Sequence, residues 1–346
     1  MGLYLITYSY NSFCGFDLIS AFLPDVSAIS TSVTSPFRFI LYGALVIALV
    51  YWLVKSQTRM LIKTKKLLKE KEQAILLIEQ QKIELEIRDK NITDSLIYAQ
   101  RIQEALLPSE EYFRSHFADS FILFKPKDIV SGDFFWIGEK EDKVFIVAAD
   151  CTGHGVPGAL MSMIGLEIIE KTINEDNIEL PSKILAVLNK GLEKTFSREK
   201  NIGTIIRDGM DIGLCVIDKK NKKLKYAGAF FPLYLIRNDS IIEIKGDKII
   251  IGMNPDRISY RDSEIDLKED DILYIFSDGY VDQFGGSENK KFMYRRFRYL
   301  LLTIHHFPVN DQKAILDENI KTWTGRNEQV DDIMVIGFRP LAKASK

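Results

Sequence analysis

Residues 39–54 (FILYGALVIALVYWLV) form an uncharged, strongly apolar run. With Phe37 and Arg38, whose guanidinium can extend to the headgroups, the run approaches the ~20 residues that a helix needs to cross a bilayer. A buried core helix or the core of a signal peptide would look similar, but the run starts late and no small-residue cleavage site follows it. The sequence therefore predicts one transmembrane helix over residues 37–54.

Basic residues lie on one side of this run. Residues 1–37 contain no Lys or Arg, whereas five basic residues follow the run closely. They are Lys55, Arg59, Lys63, Lys65 and Lys66. Because segments rich in Lys and Arg stay on the cytoplasmic side, we expect a single-pass protein of the inner (cytoplasmic) membrane. Its C-terminal body would lie in the cytoplasm, and residues 1–36 would form a short extracytoplasmic segment.

Residues 55–107 have the composition of a long helix, since they are dense in Lys, Glu, Gln, Leu and Ile and contain no Gly or Pro. Lys82 and Asp89 occupy two core positions of an otherwise apolar heptad pattern. The pattern repeats every seven residues at Ile78, Leu85, Ile92 and Ala99. A parallel coiled coil that makes a homodimer is the sharper interpretation, and a single amphipathic helix folded back on the body is the alternative.

Residues 108–346 change to short alternating runs rich in β-branched and aromatic residues, broken by polar and glycine-containing turns. With 46% hydrophobic and 27% charged residues, the chain has the composition of a folded domain. Helices are predicted at 157–174, 181–196, 294–304 and 311–323. Strands are predicted to begin at Phe121, Asp133, Lys143, Asp211, Lys223, Pro232, Ile241, Asp271 and Asp332. Paired helices between strand runs favour an α+β fold with mainly antiparallel sheets flanked by helices.

Charge and cysteine content exclude some classes of function. The net charge of −2 gives no general attraction for nucleic acid, so we expect no nucleic-acid partner. Cys14, Cys151 and Cys215 are widely spaced and form neither a disulfide framework nor a zinc-binding pattern.

Aspartates stand at the ends of four predicted strands. Asp133 follows Ser-Gly, Asp150 closes VFIVAA, Asp278 closes ILYIFS and precedes Gly279, and the pair Asp331–Asp332 precedes IMVIGF. Each aspartate alone could simply begin or cap a turn, which is the common use of Asp beside Gly. Together they suggest one site, because a strand end holds a side chain rigidly and leaves space beyond it.

Carboxylates that converge repel one another unless a cation neutralises them. Their hard oxygen atoms favour Mg²⁺ or Mn²⁺ over zinc. Two such ions could activate a water molecule for in-line attack on phosphorus, a chemistry that needs no covalent enzyme nucleophile.

A glycine-rich stretch, DCTGHGVPGALMSM, follows Asp150 and leads into a predicted helix whose N-terminus suits a phosphate. Its spacing is neither that of a phosphate-binding Walker loop nor that of a dinucleotide fingerprint. His154 could donate a proton there, although we favour a structural role in the turn.

In order along the chain, YAQRIQEALLP, KDIVSGDFFW, AADCTGHGVPGALMS, DGMDIGLCVID, YAGAFFPLYLI, IFSDGYVDQFGG and VDDIMVIG resemble the PPM-type metal-dependent protein serine/threonine phosphatases, SpoIIE-like branch. The resemblance covers about residues 95–340. It implies two packed, mainly antiparallel sheets flanked by helices. It also implies two Mn²⁺ or Mg²⁺ ions and a phosphoprotein substrate such as an anti-sigma factor antagonist.

The resemblance assigns catalytic and metal-binding roles to particular residues. Asp150 would bridge both ions, with Asp133 and the carbonyl of Cys151 on one ion. Asp278 and Asp331 would hold the other ion, with Asp332 the less favoured ligand of the pair. The resemblance further implies an additional ion at Asp208 or Asp211, although a turn before a strand explains these two nearly as well. Phe230 and Phe231 stand where relatives often carry polar residues, which points to an unusual substrate surface.

The sequence thus predicts a membrane-anchored protein phosphatase with a phosphatase domain over residues 108–346. A phosphatase that uses an aspartyl-phosphate is the rival enzyme, but AADCTG lacks the second aspartate of its Asp-x-Asp motif. A catalytically inactive scaffold that relays a membrane signal through the coiled coil is the alternative outside enzymes.

Overall fold

The computed structural model of the protein describes residues 36–197, 208–253 and 259–342. The extracytoplasmic segment predicted over residues 1–36 therefore lies almost wholly outside the described residues. The chain divides into two compact units, residues 1–87 and residues 88–346.

The described part of the first unit is a single helix, the start of α1 (Pro36–Leu106). No residue after Gly43 interrupts it, because residues 44–107 contain neither Gly nor Pro and consist mostly of good helix formers. The predicted transmembrane and coiled-coil segments thus lie on one continuous helix. From residue 39 to residue 87 every side chain is exposed. Among the described residues, one helix is long and apolar enough to cross a membrane, and it is this one.

Two five-stranded antiparallel sheets form the centre of the second unit, in the orders β1-β12-β9-β6-β7 and β2-β3-β4-β5-β8. The first contains β1 (Ser120–Lys125), β6 (Leu233–Arg237), β7 (Ser240–Ile244), β9 (Ile272–Phe276) and β12 (Ile333–Phe338). The second contains β2 (Phe134–Lys140), β3 (Lys143–Cys151), β4 (Met210–Asp218), β5 (Lys223–Ala229) and β8 (Ser263–Asp266). The predicted α+β fold with two antiparallel sheets is confirmed.

The four predicted helices are α3 (Gly155–Asn174), α4 (Pro181–Ser197), α6 (Met293–Ile304) and α7 (Val309–Thr324). Five short elements were not predicted: α2 (Glu110–His116), α5 (Gly279–Asp282), β8, and the small hairpin of β10 (Phe284–Gly285) and β11 (Lys290–Lys291). These elements are too short for hydrophobic periodicity to reveal them.

The core has three layers of packing. Inward-facing side chains of both sheets, such as Ile146 and Ile275, fill the space between the sheets. Helices α3 and α4 pack on the outer face of the second sheet, and α6 and α7 pack on the outer face of the first. Because both faces of each sheet are covered, the central strands β3, β9 and β12 are almost continuously apolar and buried. An aspartate at the end of such a strand therefore lies at the edge of a rigid core.

Candidate metal centre

Strand pairing brings the predicted aspartates to one edge of the sandwich. Asp150, near the end of β3, lies directly opposite Asp211 on β4, so both side chains point to the same face of the sheet. Asp133 immediately precedes β2, whose first residue pairs with Ala149 beside Asp150. In the other sheet the end of β9 adjoins the start of β12, which places Asp278 and the pair 331–332 together.

Asp150 occupies the middle of this row. Its carboxylate interacts with those of both Asp133 and Asp278, and the charges of Asp331 and Asp211 also act on it. Among the described residues, no three of these carboxylates bring ligand atoms within 4.8 Å of one another. The row is therefore extended, with Asp150 shared between two ends.

Burial and mutual repulsion disfavour ionisation of the whole row. Burial, followed by the charge of Asp150, raises the pKa of Asp133 well above its ordinary value. Burial and then the charge of Asp278 do the same to the pKa of Asp150. Burial raises the pKa of Asp278 and of Asp211 to about 6, and the pKa of Asp331 also rises. A divalent cation would remove this penalty.

One oxygen of Asp133 has no partner. The Ser277 hydroxyl donates to Asp133 Oδ2 at 2.6 Å, and this holds the carboxylate in one orientation. Oδ1 is buried and has no hydrogen-bond partner among the described residues. A buried carboxylate oxygen without a donor is costly, and a hard cation is the partner that its chemistry fits. The residues of this edge therefore fit Mg²⁺ or Mn²⁺.

Asp331 and Asp332 are used differently. Both oxygens of Asp332 accept backbone N–H groups, from Lys127 and from Gly132, each at 2.7 Å. Asp332 thus holds the loop that leads into Asp133. Asp331 has one oxygen bonded to the Asp332 N–H and lines the pocket beside Asp150. A ligand role for Asp332 stays a prediction, and these bonds favour Asp331.

Glycines let the loops around the row approach one another. A Cβ at Gly158 would lie 2.3 Å from the Gly153 carbonyl oxygen, and a Cβ at Gly132 would lie 2.7 Å from the same atom. A Cβ at Gly279 would lie 2.0 Å from the Asp332 carbonyl oxygen. The glycines beside the aspartates are therefore required for close packing of the backbone.

The row opens into a pocket of ≈ 260 Å³ that contains three of the aspartates and His154. It is lined by Asp150, Cys151, Thr152, Gly153, His154, Asp211, Ile250 and Asp331. His154 is half exposed, and its Nδ1 lies 2.6 Å from an oxygen of Asp128. Asp211 thus faces the pocket, whereas Asp208 is not among its lining residues.

Sequence reasoning missed two polar residues that support the row. Ser277 donates to Asp133 and accepts the Met334 N–H at 3.0 Å. Gln103, at the end of α1, is buried; its amide nitrogen donates to the Ser131 carbonyl at 2.6 Å, and its oxygen accepts the Ser131 N–H at 3.0 Å. The only sequence signal was Gln103 standing in the apolar pattern of YAQRIQEALLP.

Comparisons with known proteins agree with this architecture. The family described as Stage II sporulation protein E (SpoIIE) matches residues 140–340. The chain is similar to the SiaA-PP2C domain of Pseudomonas aeruginosa, with 33% identity, 72% of this chain and 98% of that chain covered, and a TM-score of 0.66. The PP2C phosphatase domain of SpoIIE from Bacillus subtilis shares the fold at 18% identity, with 64% of this chain and 62% of that chain covered and a TM-score of 0.52.

A curated relative is the phosphoserine phosphatase RsbU of Bacillus subtilis (strain 168), which is 27% identical over 201 residues. The match covers 56% of this chain and 55% of RsbU. The chain therefore spans only about half the length of this relative.

Proposed function

Because the chain belongs to the SpoIIE family, we propose that it is a metal-dependent protein serine/threonine phosphatase. The observation that carries the proposal is the row of buried aspartates, in which Asp133 leaves one buried oxygen without a partner. The charges that raise the pKa values of Asp133 and Asp150 are those of other aspartates. Such a site costs stability unless it binds cations.

The position of each residue suggests its role in holding two Mn²⁺ or Mg²⁺ ions. Asp150, which reaches both Asp133 and Asp278, would bridge the ions. Asp133 and the Cys151 carbonyl would complete one ligand set, and Asp278 and Asp331 would complete the other. When bound, the ions would supply Lewis-acid stabilisation to a phosphoryl group and an attacking water molecule.

The chain's own residues would orient this centre and disfavour a cysteine nucleophile. Ser277 fixes Asp133, and Asp332 fixes the loop before it. The Cys151 thiol is buried and its pKa is raised well above the ordinary value, first by burial and then by the charge of Asp150. Cys151 is therefore a neutral thiol and a poor nucleophile, so a cysteinyl-phosphate route is disfavoured.

Membrane attachment and dimerisation are part of the proposal. We assign residues 1–36 to an extracytoplasmic segment, 37–54 to the membrane span, 55–107 to a dimeric coiled coil and 108–346 to the cytoplasmic phosphatase domain. The exposed apolar side chains along α1 support this division, because a bilayer and a second copy of the helix would cover them.

The substrate that we propose is phosphoserine or phosphothreonine on a regulatory protein, such as an anti-sigma factor antagonist. The similarity to RsbU, which is named a phosphoserine phosphatase, supports this choice. An inactive signalling scaffold is the alternative, and the intact row of aspartates disfavours it.

Phosphate release from a phosphoserine peptide tests the function. The full chain, purified in detergent, should release inorganic phosphate with Mn²⁺, lose the activity with a chelator, and regain it when Mn²⁺ is restored. Absence of release under all metal conditions would favour the scaffold. A phosphoryl group trapped covalently on Asp150 would instead establish the aspartyl-phosphate route.

A further inference from the structure

A second group of metal-ligating side chains lies away from the aspartate row. Asp239 occupies the tight turn between β6 and β7, and His305 and His306 follow the end of α6. Asp239 Oδ1 lies 3.1 Å from His305 Nε2 and 3.3 Å from His306 Nε2. We call these three residues the His-Asp cluster. Their ligand atoms all lie within 4.8 Å of one another.

The backbone holds the cluster in place. Asn238 and Asp239 both have positive φ, 49° and 58°, as a two-residue hairpin turn with right-handed strand twist requires. The His305 carbonyl oxygen accepts from Arg339 at 2.8 Å and from Gln312 at 3.2 Å. The carboxylate and the imidazoles are therefore presented by two rigid elements, as a preformed ligand set needs.

Hydrogen bonding determines which nitrogen of His305 is free. His305 Nδ1 lies 2.8 Å from the Leu302 carbonyl oxygen, which can only accept, so Nδ1 carries the hydrogen. In the neutral imidazole, Nε2 then carries a lone pair that is directed at the Asp239 carboxylate. Two acceptors 3.1 Å apart need a positive charge between them, either a proton or a metal ion.

The distances fit a bound metal ion as well as a proton. Two donors about 2.0–2.1 Å from a tetrahedral ion lie roughly 3.3–3.4 Å apart, close to both observed separations. The ring centroids of His305 and His306 lie 3.7 Å apart with the ring planes tilted by 40°, so protonating both rings would place two positive charges in close contact. A donated Nδ1–H to a backbone carbonyl is also the usual outer support of a metal-binding histidine.

We propose that Asp239, His305 and His306 form a transition-metal site for a zinc-type ion. Two imidazole nitrogens and one carboxylate oxygen suit Zn²⁺ better than Mg²⁺ or Mn²⁺. Asp239 and His306 are largely exposed, which leaves room for water on the remaining coordination position. The ion would tie the β6–β7 turn to the end of α6, independently of the aspartate row.

Zinc binding to the full chain tests this site in an Asp150→Asn background, which weakens competing binding at the aspartate row. We expect Zn²⁺ to bind and raise the melting temperature, and Co²⁺ to give the visible absorption of a four-coordinate site. His306→Ala and Asp239→Asn, both at exposed side chains, should each weaken Zn²⁺ binding by more than the roughly 10–100-fold typical of outer-shell changes.

His116→Ala is the matched control, since His116 also places Nε2 3.2 Å from a single carboxylate, that of Glu139, without a second imidazole. It should leave Zn²⁺ affinity unchanged. Equal Zn²⁺ affinity of the parent and His306→Ala would overturn the proposal. So would a histidine proton titration showing His305 doubly protonated at neutral pH in Zn²⁺-saturated protein.

A second proposal rests on a different observation. A groove of ≈ 580 Å³ lies between the β5–β6 turn, the segment after β7, and α6. Phe230 is exposed at φ 54°, a backbone conformation that bulky residues rarely adopt, and its N–H donates to the Asp247 carbonyl. Strain that exposes an aromatic ring suggests a binding role. Tyr294 also lines the groove.

The groove is basic as well as aromatic. Lys245, Lys248 and Arg295 line it, and none of the three has an ion-pair partner within residues 36–197, 208–253 and 259–342. Unpaired cations around exposed Phe230 and Tyr299 complement a segment that carries carboxylates and apolar side chains. We propose, resting on the phosphatase function above, that the groove binds an acidic stretch of the phosphoprotein beside its phosphorylated residue.

Fluorescence anisotropy with chelator present measures this binding without catalysis. The full chain should bind a phosphoserine peptide flanked by Asp and Glu more tightly than one flanked by Ser and Gln. Lys248→Glu with Arg295→Glu should reduce that preference at least about ten-fold, and added salt should reduce it in the parent. The control Lys183→Glu, an exposed charge reversal on α4, should keep it.

If the double variant kept its preference for the acidic peptide, the proposal that the groove binds an acidic segment would be overturned. Failure of the phosphatase function would appear separately, as absent phosphate release with Mn²⁺.

Discussion

The helix over residues 36–87 and the body over residues 88–342 differ in which side chains they expose and which they bury. Side chains 39–87 are exposed along their whole length, including the most apolar run of the chain. The body buries its apolar strands on both faces, yet places five aspartates at the edge of that core. Within the part of the chain that the structure describes, residues 39–87 do not bury their apolar groups, and the aspartate row of the body is surrounded mainly by other carboxylates.

This contrast indicates what kind of partner would stabilise each region. Exposed apolar surface is stabilised when something outside the chain covers it, and a bilayer and a second helix are the candidates that we propose. Buried carboxylates that repel one another are retained at a cost to stability, which cation binding would repay. The predictions that follow test the body first and the helix last.

The largest effect is expected for Asp150→Asn, which removes the carboxylate shared by both ends of the row. Loss of several kcal/mol of transition-state stabilisation lowers kcat/KM by about a thousand-fold or more. The cation-free variant should nevertheless melt at a higher temperature than the parent, because a buried charge surrounded by Asp278, Asp331 and Asp211 is gone. Phosphate release and thermal denaturation measure the two quantities.

A lower melting temperature for cation-free Asp150→Asn would contradict the idea that the row is strained without ions. Asp142→Asn is the control, since Asp142 is an exposed turn residue between β2 and β3 and lies outside the row. It should leave both quantities within the small range of surface substitutions.

The second effect is the dependence of stability on pH in cation-free protein. The pKa of Asp278 and of Asp211 is about 6 in the folded protein, above the ordinary 3.8, so the folded state keeps protons that the unfolded chain releases. Stability from these groups is therefore present at low pH and is lost as pH rises from about 4 to 6. We expect the stability of the parent relative to Asp211→Asn to fall across this window.

Mn²⁺ should reverse this loss, because it competes with protons for the same oxygens. The rise in melting temperature on adding Mn²⁺ should be larger at pH 7 than at pH 5. An equal rise at both pH values would indicate that the cation binds elsewhere.

The sequence predicted the row because Asp150 and Asp278 close strands whose apolar runs are unmistakable. The family resemblance preferred Asp331 to Asp332, but the residues themselves gave no physical reason, since only the bonds of Asp332 to Lys127 and Gly132 show which carboxylate is already used. These bonds span some 200 residues and have no local signal. Edge strand β8 was missed for a related reason, because its pattern is half exposed and only four residues long.

The third prediction concerns Gln103, where the end of α1 joins the body. Gln103→Leu leaves the buried Ser131 N–H and carbonyl without their partner, which should cost about 1–3 kcal/mol of unfolding free energy. Since Ser131 also accepts from the Asp133 N–H, phosphatase activity should fall as well. Gln100→Leu is the control, because Gln100 lies less than a turn away on the same helix and makes neither bond. Equal urea denaturation midpoints for the two variants would contradict this role.

The smallest effect is expected in the helix, where a matched pair separates a coiled coil from a general apolar surface. Leu85 and Ile83 are both exposed in the single chain, and only Leu85 lies on the predicted seam. Leu85→Gln should weaken dimerisation by about 1–2 kcal/mol, the transfer free energy of one apolar side chain, and Ile83→Gln should not. Neither change should alter the melting of the body, whose core contains neither residue. Sedimentation equilibrium of the full chain in detergent measures the dimer. Equal weakening by both variants would mean that the helix associates through its whole apolar surface, and the heptad interpretation would be wrong.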